Sequence, residues 1–352
     1  MTGIPIISRR CLVIAEAGVN HNGNIDMAKR LIDAAAAAGA DAVKFQTFHA
    51  EDVVTAAAKK AGYQKRNTRN SAESQLSMLK KLELKDGDFR SLKRYCDRAK
   101  IIFLSTPFDI KSVDLLETLV PFYKISSGEI TNCALLESVA AKGKPVVLST
   151  GMATVKEIAD ALRVLDTAKP GIEVILLHCT TNYPCPFEEV NLKAMLTLKE
   201  VFGLNVGYSD HTTGIEVPIA AVALGARIIE KHFTLDRSLP GPDHKASLEP
   251  DELKTMIRSI KNIERALGDG IKKPTKSELK IKDAVRRSLV AKRDIEAGHR
   301  INKKDIAIKR PGDGIAPCFI NSITGMVARA GLKKDGVFQW ALLRRSENER
   351  KN

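Results

Sequence analysis

The sequence predicts an α/β protein, a (β/α)8 barrel followed by a small β-rich domain. Eight short apolar runs alternate with about eight helix-like segments over residues 1–267, an order that favours parallel βαβ units. Most of these apolar runs end in polar side chains, as the strands of a barrel do at the face where its active site lies. The 352 residues exceed one usual domain, and a barrel takes about 250 of them. We therefore expect a barrel over 1–267, a linker over 268–285 and a second domain over 286–352.

The predicted elements follow from apolar periodicity and from the turn residues between them. The predicted strands are residues 11–15, 41–45, 101–104, 122–126, 145–148, 173–177, 204–206 and 228–229. The predicted helices are residues 26–38, 75–99 as one helix or a pair, 112–119, 135–141, 155–165, 191–201, 217–224 and 250–267. A doubly wound open sheet is the alternative fold. It is disfavoured because the Gly18 to Gly23 turn has neither a P-loop Lys-Ser/Thr nor a dinucleotide-binding spacing.

One connection in the predicted barrel is unusually long. Residues 51–73 are polar and irregular and follow the second strand. A βα connection normally takes only a few residues, so a segment of this length is typical of a lid or a binding loop. We expect it to cover or line the site.

The second domain is strongly basic. Residues 268–352 hold 21 Lys and Arg against 10 Asp and Glu, so they carry +11 of the net charge of +14. Nucleic-acid binding is one interpretation of such a patch. It is disfavoured because the few aromatic residues stand apart from the basic clusters, and because no zinc-binding spacing is present. Solubility and attraction of small anions are the simpler interpretations.

The remaining composition indicates a cytoplasmic protein. No apolar run approaches the roughly 20 residues that cross a bilayer, and the amino terminus does not have the pattern of a signal peptide. The six cysteines are scattered and include no C-x-x-C pair. We expect them to be reduced, and we assign none of them a catalytic role.

Two lysines and several serines lie at or near the predicted strand ends. They are Lys44, Lys124, Ser127, Ser149 and Ser209. Each alone has an ordinary structural explanation, because barrel lysines pair with carboxylates and serines cap helices. Together at one mouth they favour a phosphate-bearing substrate, since ionic hydrogen bonds to phosphate are stronger than neutral ones.

Two histidines end successive strands, and carboxylates share the same rim. His211 and His232 could together hold a divalent ion with open positions for water and substrate. Alternatively, each is a hydrogen-bonded residue at a strand end. Glu16, Glu129 and Glu230 could act as general acid or base or orient a metal-bound water. His21, His178 and His244 are candidates of lower rank.

A set of motifs in a fixed order runs through nearly the whole chain. The motifs are AEAGVNHNG at 15–23, VKFQ at 43–46, LSTPF at 104–108, KISSGE at 124–129, STGM at 149–152, GYSDH at 207–211, EKHFT at 230–234 and GPDH at 241–244. Together they resemble the motifs of the N-acetylneuraminate (sialic acid) synthase family. The KRPG segment at 309–312 resembles the antifreeze-like (SAF) domain of the same family. Thr181 stands where some members have Asn.

The resemblance implies condensation of phosphoenolpyruvate with the open-chain aldehyde of an N-acetylated hexosamine, which releases phosphate and gives a nine-carbon 2-keto acid. It implies phosphoenolpyruvate contacts at Lys44, Lys124, Ser127, Ser149 and Ser209, and sugar contacts at Glu16, Gln46, Tyr183, Asp243 and Arg310. It further implies that Glu16, Glu129 and Glu230 are catalytic and that His211 and His232 bind a divalent metal, with Mn2+ favoured over Mg2+ or Co2+. Arg310 would act in the partner subunit of a domain-swapped homodimer.

The motifs do not decide which sugar is the acceptor. We expect N-acetylmannosamine, giving N-acetylneuraminate, and the alternative is a 2,4-diacetamido-trideoxyhexose, giving legionaminic or pseudaminic acid. Two other classes stay open. An aldolase could form a Schiff base through Lys124, and a protein without catalytic activity could bind a partner through its antifreeze-like domain.

Overall fold

The computed structural model describes residues 10–68, 70 and 72–346, and the predicted fold class is confirmed. The eight strands of the barrel are β1 (Leu12–Gly18), β2 (Ala42–Thr47), β3 (Ile102–Pro107), β4 (Tyr123–Ile125), β5 (Val146–Ser149), β6 (Val174–His178), β7 (Asn205–Asp210) and β8 (Ile228–His232). They form one parallel sheet in the order β3-β2-β1-β8-β7-β6-β5-β4. The two end strands of this order, β3 and β4, also lie against each other. The sheet is therefore a nearly closed barrel.

Helices connect successive strands. They are α1 (Ile25–Ala38), α2 (Ala50–Val53), α3 (Gly62–Thr68), α4 (Gln75–Leu82), α5 (Asp86–Ala99), α6 (Ile110–Leu116), α7 (Cys133–Ala141), α8 (Val155–Ala168), α9 (Lys193–Phe202), α10 (Glu216–Ala223) and α11 (Pro250–Leu267). The predicted 75–99 segment is a pair of helices, α4 and α5. Among the helices of the described residues, none is both long and apolar enough to span a bilayer.

Helix α1 shows how the local sequence sets these boundaries. The Asn24 side chain accepts hydrogen bonds from the first backbone N–H groups, and Gly39 ends the helix with φ of 85°, a conformation that glycine adopts without steric cost. Between them, Leu31, Ile32 and Ala35 are fully buried. Their spacing places them on the face that packs against the sheet.

The long connection after β2 is partly helical rather than wholly irregular. It contains α2 and α3, and α4 follows it. Beneath these helices lies a separate apolar cluster that includes Val19, Phe48, Met78 and Leu82. The connection therefore has its own small core at the mouth of the barrel.

The chain divides into two compact units after Gly268. The second unit contains α12 (Lys276–Val285), β9 (Ser288–Ala291), β10 (Ile306–Lys309), α13 (Ile320–Ile323), β11 (Val327–Ala328) and β12 (Leu343–Arg344). β9 pairs with β10 and β11 with β12, both antiparallel. Its core includes Leu289, Ile301, Ile323 and Phe338.

Part of the segment predicted to be a linker is helical. Thr275 accepts a hydrogen bond from the backbone N–H of Glu278, and the Glu278 side chain accepts one from the Thr275 N–H. This reciprocal capping starts α12. The Gly, Lys and Pro content of residues 268–285 is typical of a linker, so the sequence did not predict this helix.

A buried ion pair joins the ends of β7 and β8. Lys231 Nζ lies 2.5 Å from Asp210 Oδ2, and both side chains have no exposed surface. Asp210 and Lys231 are also partners in the sheet register. Asp210 further accepts hydrogen bonds from the backbone and hydroxyl of Thr212. The pair fixes these two strand ends relative to each other, one residue before His211 and His232.

Removing one member of this pair should destabilise the barrel strongly. In Lys231→Met the Asp210 carboxylate stays buried without its cation, and we expect a loss of about 3–5 kcal/mol in the free energy of unfolding. Urea denaturation followed by circular dichroism measures the change. Lys93→Met is the matched control, because the Lys93–Asp97 pair lies on the surface of α5 and should contribute less than about 1 kcal/mol. Equal losses in the two variants would contradict this role.

Candidate active site

Most of the predicted site residues line one cavity of about 370 Å³ at the carboxyl ends of the strands. Those brought together are Glu16, Lys44, Gln46, Lys124, Ser127, Ser149, Tyr183, Ser209, His211, Glu230, His232 and Asp243. Glu129 is not among the residues that line it, and Arg310 belongs to the second unit. The cavity therefore unites residues from β1 to β8 that are far apart in the chain.

Strand register explains why these side chains meet. Glu16 pairs with Lys44 across β1 and β2 and with His232 across β1 and β8. Ser209 pairs with Glu230 across β7 and β8. Residues in register on neighbouring strands project from the same face of a sheet. The strand ends that carry these residues thus place their polar side chains at the same mouth.

Two lysines and two glutamates form a buried network at the base of the cavity. Lys44 Nζ lies 2.8 Å from Glu16 Oε2 and 3.9 Å from Glu230 Oε1. Lys124 Nζ lies 3.7 Å from the same Glu230 oxygen and donates a 2.7 Å hydrogen bond to Ser149. Glu230 thus stands between two cations. A dianionic ligand placed here would meet both ammonium groups.

The network separates the pKa values of its two carboxyl groups. Burial raises the pKa of Glu16 to about 7, although Lys44 opposes the shift. Burial also acts to raise the pKa of Glu230, but Lys124 and Lys44 outweigh it and leave the pKa lowered. Near neutral pH, Glu16 can therefore give or take a proton, whereas Glu230 is ionised. Such a pair can divide the roles of acid and base.

The pKa values of the two lysines are shifted in opposite directions. For Lys44, burial acts to lower the pKa, but the carboxylates of Glu16 and Glu230 outweigh it and leave the pKa raised. For Lys124, burial outweighs the attraction of Glu230 and the pKa is lowered. An anionic ligand beside Lys124 would favour its charged form.

Hydroxyl groups form a polar wall next to Lys124. Ser127 Oγ accepts a 2.9 Å hydrogen bond from Gly151 N and lies 3.1 Å from Cys179 Sγ. A side chain at residue 151 would place its Cβ 2.4 Å from Thr181 Oγ1, so this close approach requires glycine. Within the described residues, Ser126 Oγ and Thr181 Oγ1 are buried without a hydrogen-bond partner. Unpaired polar atoms that line a cavity indicate a polar ligand.

The two histidines face each other as neutral imidazoles. Their ring centroids are 5.7 Å apart. His211 Nδ1 donates a 2.6 Å hydrogen bond to the Thr180 carbonyl, which leaves its Nε2 lone pair free. Burial lowers the pKa of both rings, and His232 Nδ1 has no partner among the described residues. Neutral, oriented imidazoles are the form that binds a divalent metal.

The predicted sugar contacts lie beside the imidazoles. The Tyr183 ring centroid is 4.1 Å from that of His211, and Gln46 donates a 3.1 Å hydrogen bond to Glu16. Asp243 is carried by the loop after β8, and burial raises its pKa to about 6. These groups offer hydrogen bonds next to the histidine pair.

A different group is also a possible metal site. Ligand atoms of His49, Asp52 and Asp109 lie within 4.8 Å of one another. Asp109 already accepts hydrogen bonds from the Ser112 backbone and hydroxyl, and Asp52 pairs with Lys111 at 2.7 Å. The group does not line the main cavity. Within the described chain it nevertheless meets the geometric requirement for holding an ion.

The other predicted candidates have local roles. Glu129 accepts a hydrogen bond from Asn132, and Arg310, in the second unit, donates to the Val285 carbonyl. His21 Nδ1 accepts a hydrogen bond from the Gly23 N–H, and His178 Nε2 lies 2.8 Å from the Val190 carbonyl. His244 lies 2.7 Å from the Thr234 hydroxyl. Of these side chains, none of those in the barrel lines the cavity.

Sequence reasoning missed several lining residues. Thr106 accepts a 2.8 Å hydrogen bond from Lys44, and its position at the end of β3 could have identified it. Tyr63, Gln64 and Leu79 also line the cavity. They come from the long connection after β2 and from α4, and no strand-end pattern marked them individually.

Comparisons with known proteins cover nearly the whole chain. A sequence model of the NeuB family matches residues 31–272, and one of the SAF domain matches residues 286–344. The chain is 52% identical over 331 residues to the N,N'-diacetyllegionaminic acid synthase of Campylobacter jejuni, covering 93% of this chain and 98% of that protein. The enzyme of the same description from Legionella pneumophila is 48% identical, with 95% and 94% covered.

A solved structure agrees with the sequence comparisons. It is that of the N-acetylneuraminic acid (sialic acid) synthetase from Leptospira borgpetersenii, which superimposes with a TM-score of 0.68 at 39% identity. The match covers 77% of this chain and 90% of that one. The relatives are thus synthases of sialic acid-type sugars.

The raised pKa of Glu16 should make stability depend on pH. Its folded value of about 7 lies above the ordinary value of 4.5, so its contribution is fully present below pH 4.5 and is lost as the pH rises through 7. Between pH 5 and 8, the free energy of unfolding of Glu16→Gln should therefore fall by less than that of the wild type. The difference should be about 1.4 kcal/mol or more.

Urea unfolding at several pH values measures this difference. Glu200→Gln, at an exposed position of α9, is the control and should follow the wild-type profile. Parallel curves for wild type and Glu16→Gln would show that Glu16 does not titrate in this range.

Proposed function

Because this chain belongs to the NeuB family and carries a SAF domain, we propose that it condenses phosphoenolpyruvate with the aldehyde form of an acetamido sugar. The products are a nine-carbon 2-keto acid and phosphate. The observation that carries the proposal is the cavity in which Lys44 and Lys124 flank Glu230 beside the neutral histidine pair. It joins a site for a dianion to a site that can polarise a carbonyl oxygen.

The relatives favour one acceptor over the other. N-acetylmannosamine is the acceptor expected from the motifs. The relatives at 52% and 48% identity, however, are N,N'-diacetyllegionaminic acid synthases. We therefore propose a 2,4-diacetamido-trideoxyhexose as the acceptor, with legionaminic acid chemistry as the outcome. It differs from N-acetylmannosamine by an acetamido group and a methyl group in place of two oxygen-bearing groups.

The proposed reaction forms one C–C bond and releases phosphate. C3 of phosphoenolpyruvate attacks the aldehyde carbon, and the aldehyde oxygen takes a proton and becomes a hydroxyl. Water adds to the electron-poor C2 and loses a proton. The C–O bond to phosphate then breaks, and the new C2 hydroxyl gives its proton to the departing phosphate, which leaves a ketone at C2. One water is consumed and one phosphate is released.

Residues of the cavity fit these steps. Lys44 and Lys124 hold the anionic donor with the hydroxyls of Ser127, Ser149 and Ser209, and keep it close to the aldehyde. Glu16, whose pKa is about 7, can deliver the proton to the aldehyde oxygen. Glu230 is ionised between the lysines and can accept the proton from water. Gln46, Tyr183 and Asp243 orient the sugar.

His211 and His232 would hold a divalent metal, for which we propose Mn2+, with Mg2+ or Co2+ as alternatives. The free Nε2 of His211 and the unpartnered Nδ1 of His232 within the described chain fit this role. When bound, the ion acts as a Lewis acid on the aldehyde oxygen. Two protein ligands leave positions open for substrate and water.

We further propose a domain-swapped homodimer. In this arrangement Arg310 of one copy contacts the acyl group of the sugar held by the other copy. The proposal is supported by the resemblance of the 309–312 segment to the antifreeze-like domain. The Arg310 side chain lies at an exposed position, held by its hydrogen bond to Val285.

Phosphate release distinguishes the acceptors. We expect the full chain with Mn2+ to release phosphate from phosphoenolpyruvate at a kcat/KM at least 10-fold higher with the diacetamido sugar than with N-acetylmannosamine. A chelator should abolish the release. A higher kcat/KM with N-acetylmannosamine would instead indicate N-acetylneuraminate as the product. A lysine adduct trapped by borohydride would instead indicate an aldolase, and no release with either sugar would favour a binding protein.

Metal binding tests the histidine pair directly. We expect His211→Ala and His232→Ala to weaken Mn2+ binding at least 10-fold, because each removes a ligand. Electron paramagnetic resonance measures free Mn2+, and circular dichroism verifies folding. His178→Ala is the control and should bind as wild type. Loss of binding in His49→Ala, with binding retained in the other two variants, would place the ion at His49, Asp52 and Asp109 instead.

A further inference from the structure

We propose that the connection after β2, together with α4, selects the acceptor sugar. Five residues form this surface, which we call the insertion wall: Tyr63, Gln64, Gln75, Met78 and Leu79. The wall receives the acetamido and methyl substituents that distinguish a diacetamido-trideoxyhexose from N-acetylmannosamine. This inference rests on the proposed function, because it assigns part of the same cavity to the acceptor.

The cavity has two chemically different sides. The strands contribute cations, carboxylates and hydroxyls, among them Lys44, Lys124 and Glu230. The insertion wall contributes two primary amides, one phenol and two apolar side chains, and none of them is charged. An acetamido group needs hydrogen-bond partners for its amide and apolar contact for its methyl. The wall offers both, whereas the strand side is suited to a dianion.

The apolar residues of the insertion wall belong to, or pack against, the apolar cluster at the mouth of the barrel. Met78 and Leu82 are buried in the cluster that includes Val19 and Phe48, and Leu79 packs against that cluster. Met78, Leu79, Leu82 and Val19 all face the cavity. A methyl group of the sugar that packs against these side chains is removed from contact with water. A hydroxyl group at the same place would lose its hydrogen bonds to water without gaining a partner.

Direct contacts tie the connection to the remainder of the site. Asn67 donates a 2.6 Å hydrogen bond to the Pro242 carbonyl, immediately before Asp243. The Tyr63 and Tyr183 ring centroids are 5.0 Å apart, and Tyr183 in turn packs on His211. The wall is therefore held at a set distance from the histidine pair and from Asp243. An acceptor with its aldehyde at the histidines extends toward the wall.

The connection is also braced internally. Lys60 has its side chain fully buried and lies 3.0 Å from Glu73 Oε2, with a further hydrogen bond to Thr68. This ion pair joins a residue just before α3 to a residue just before α4. A wall with a defined shape discriminates between substituents better than one that adapts to each.

Replacing Leu79 by Asn tests the inference. The change places an amide where the wall offers apolar surface, so it should favour a hydroxylated sugar. We expect the ratio of kcat/KM for the diacetamido sugar to that for N-acetylmannosamine to fall at least 10-fold. The KM for phosphoenolpyruvate should stay within 2-fold, since the donor lies on the strand side. Steady-state phosphate release with each sugar measures these quantities.

Leu76→Asn is the matched control. Leu76 lies on the same helix and packs against the same apolar cluster, but it does not line the cavity. A loss of stability in α4 would affect both variants, and only Leu79→Asn should change the ratio. Gln75→Leu is a second variant in case Leu79→Asn does not fold, and it should lower kcat/KM for the diacetamido sugar alone.

The outcomes separate this inference from the proposed function. Phosphate release by the wild type with the diacetamido sugar, together with equal ratios in Leu79→Asn, Leu76→Asn and wild type, would overturn the insertion wall and leave the proposed function standing. Absence of release by the wild type with either sugar would overturn both. A shift in the KM for phosphoenolpyruvate as large as that for the sugar would mean that α4 supports the whole site rather than selecting the acceptor.

Discussion

The structure of the site depends on four buried ionisable groups that are paired with one another. Lys44, Glu16, Glu230 and Lys124 lie at the base of the cavity with almost no exposed surface. Each would be costly to bury alone, because a low-dielectric surrounding disfavours an unpaired charge. Their mutual distances of 2.8 to 3.9 Å offset that cost. The same arrangement leaves two ammonium groups facing the cavity, where a dianion can displace the weaker contacts.

The charge network also governs the groups around it. The cations keep Glu230 ionised while burial raises the pKa of Glu16 to about 7. Burial keeps His211 and His232 neutral, and the Asp210–Lys231 pair behind them holds their strands in register. The donor binding, proton transfer and carbonyl polarisation that we propose would therefore take place within one cavity.

Sequence reasoning identified most of this arrangement because barrel strands end at one face. This rule places Lys44, Lys124 and Ser209 together from the sequence alone. The same rule did not distinguish Glu129 from Glu230, since both follow predicted strands. In the structure, Glu129 accepts a hydrogen bond from Asn132 and does not line the cavity. The rule also provided no means of finding Tyr63. Tyr63 lies on helix α3 of the long connection after β2. There, the position of a residue in the sequence does not indicate which way its side chain points.

The sequence by itself determined the order of elements, the identity of the strand-end residues and the family to which the chain belongs. These follow from short-range periodicity and from motifs, which depend on neighbouring residues. Only the tertiary structure decided which side chains share the cavity, which carboxyl group has the raised pKa, and that the connection after β2 forms one wall of the site. The physical reason is that burial, pairing and side-chain direction arise from contacts between residues distant in the chain. A linear pattern does not record those contacts.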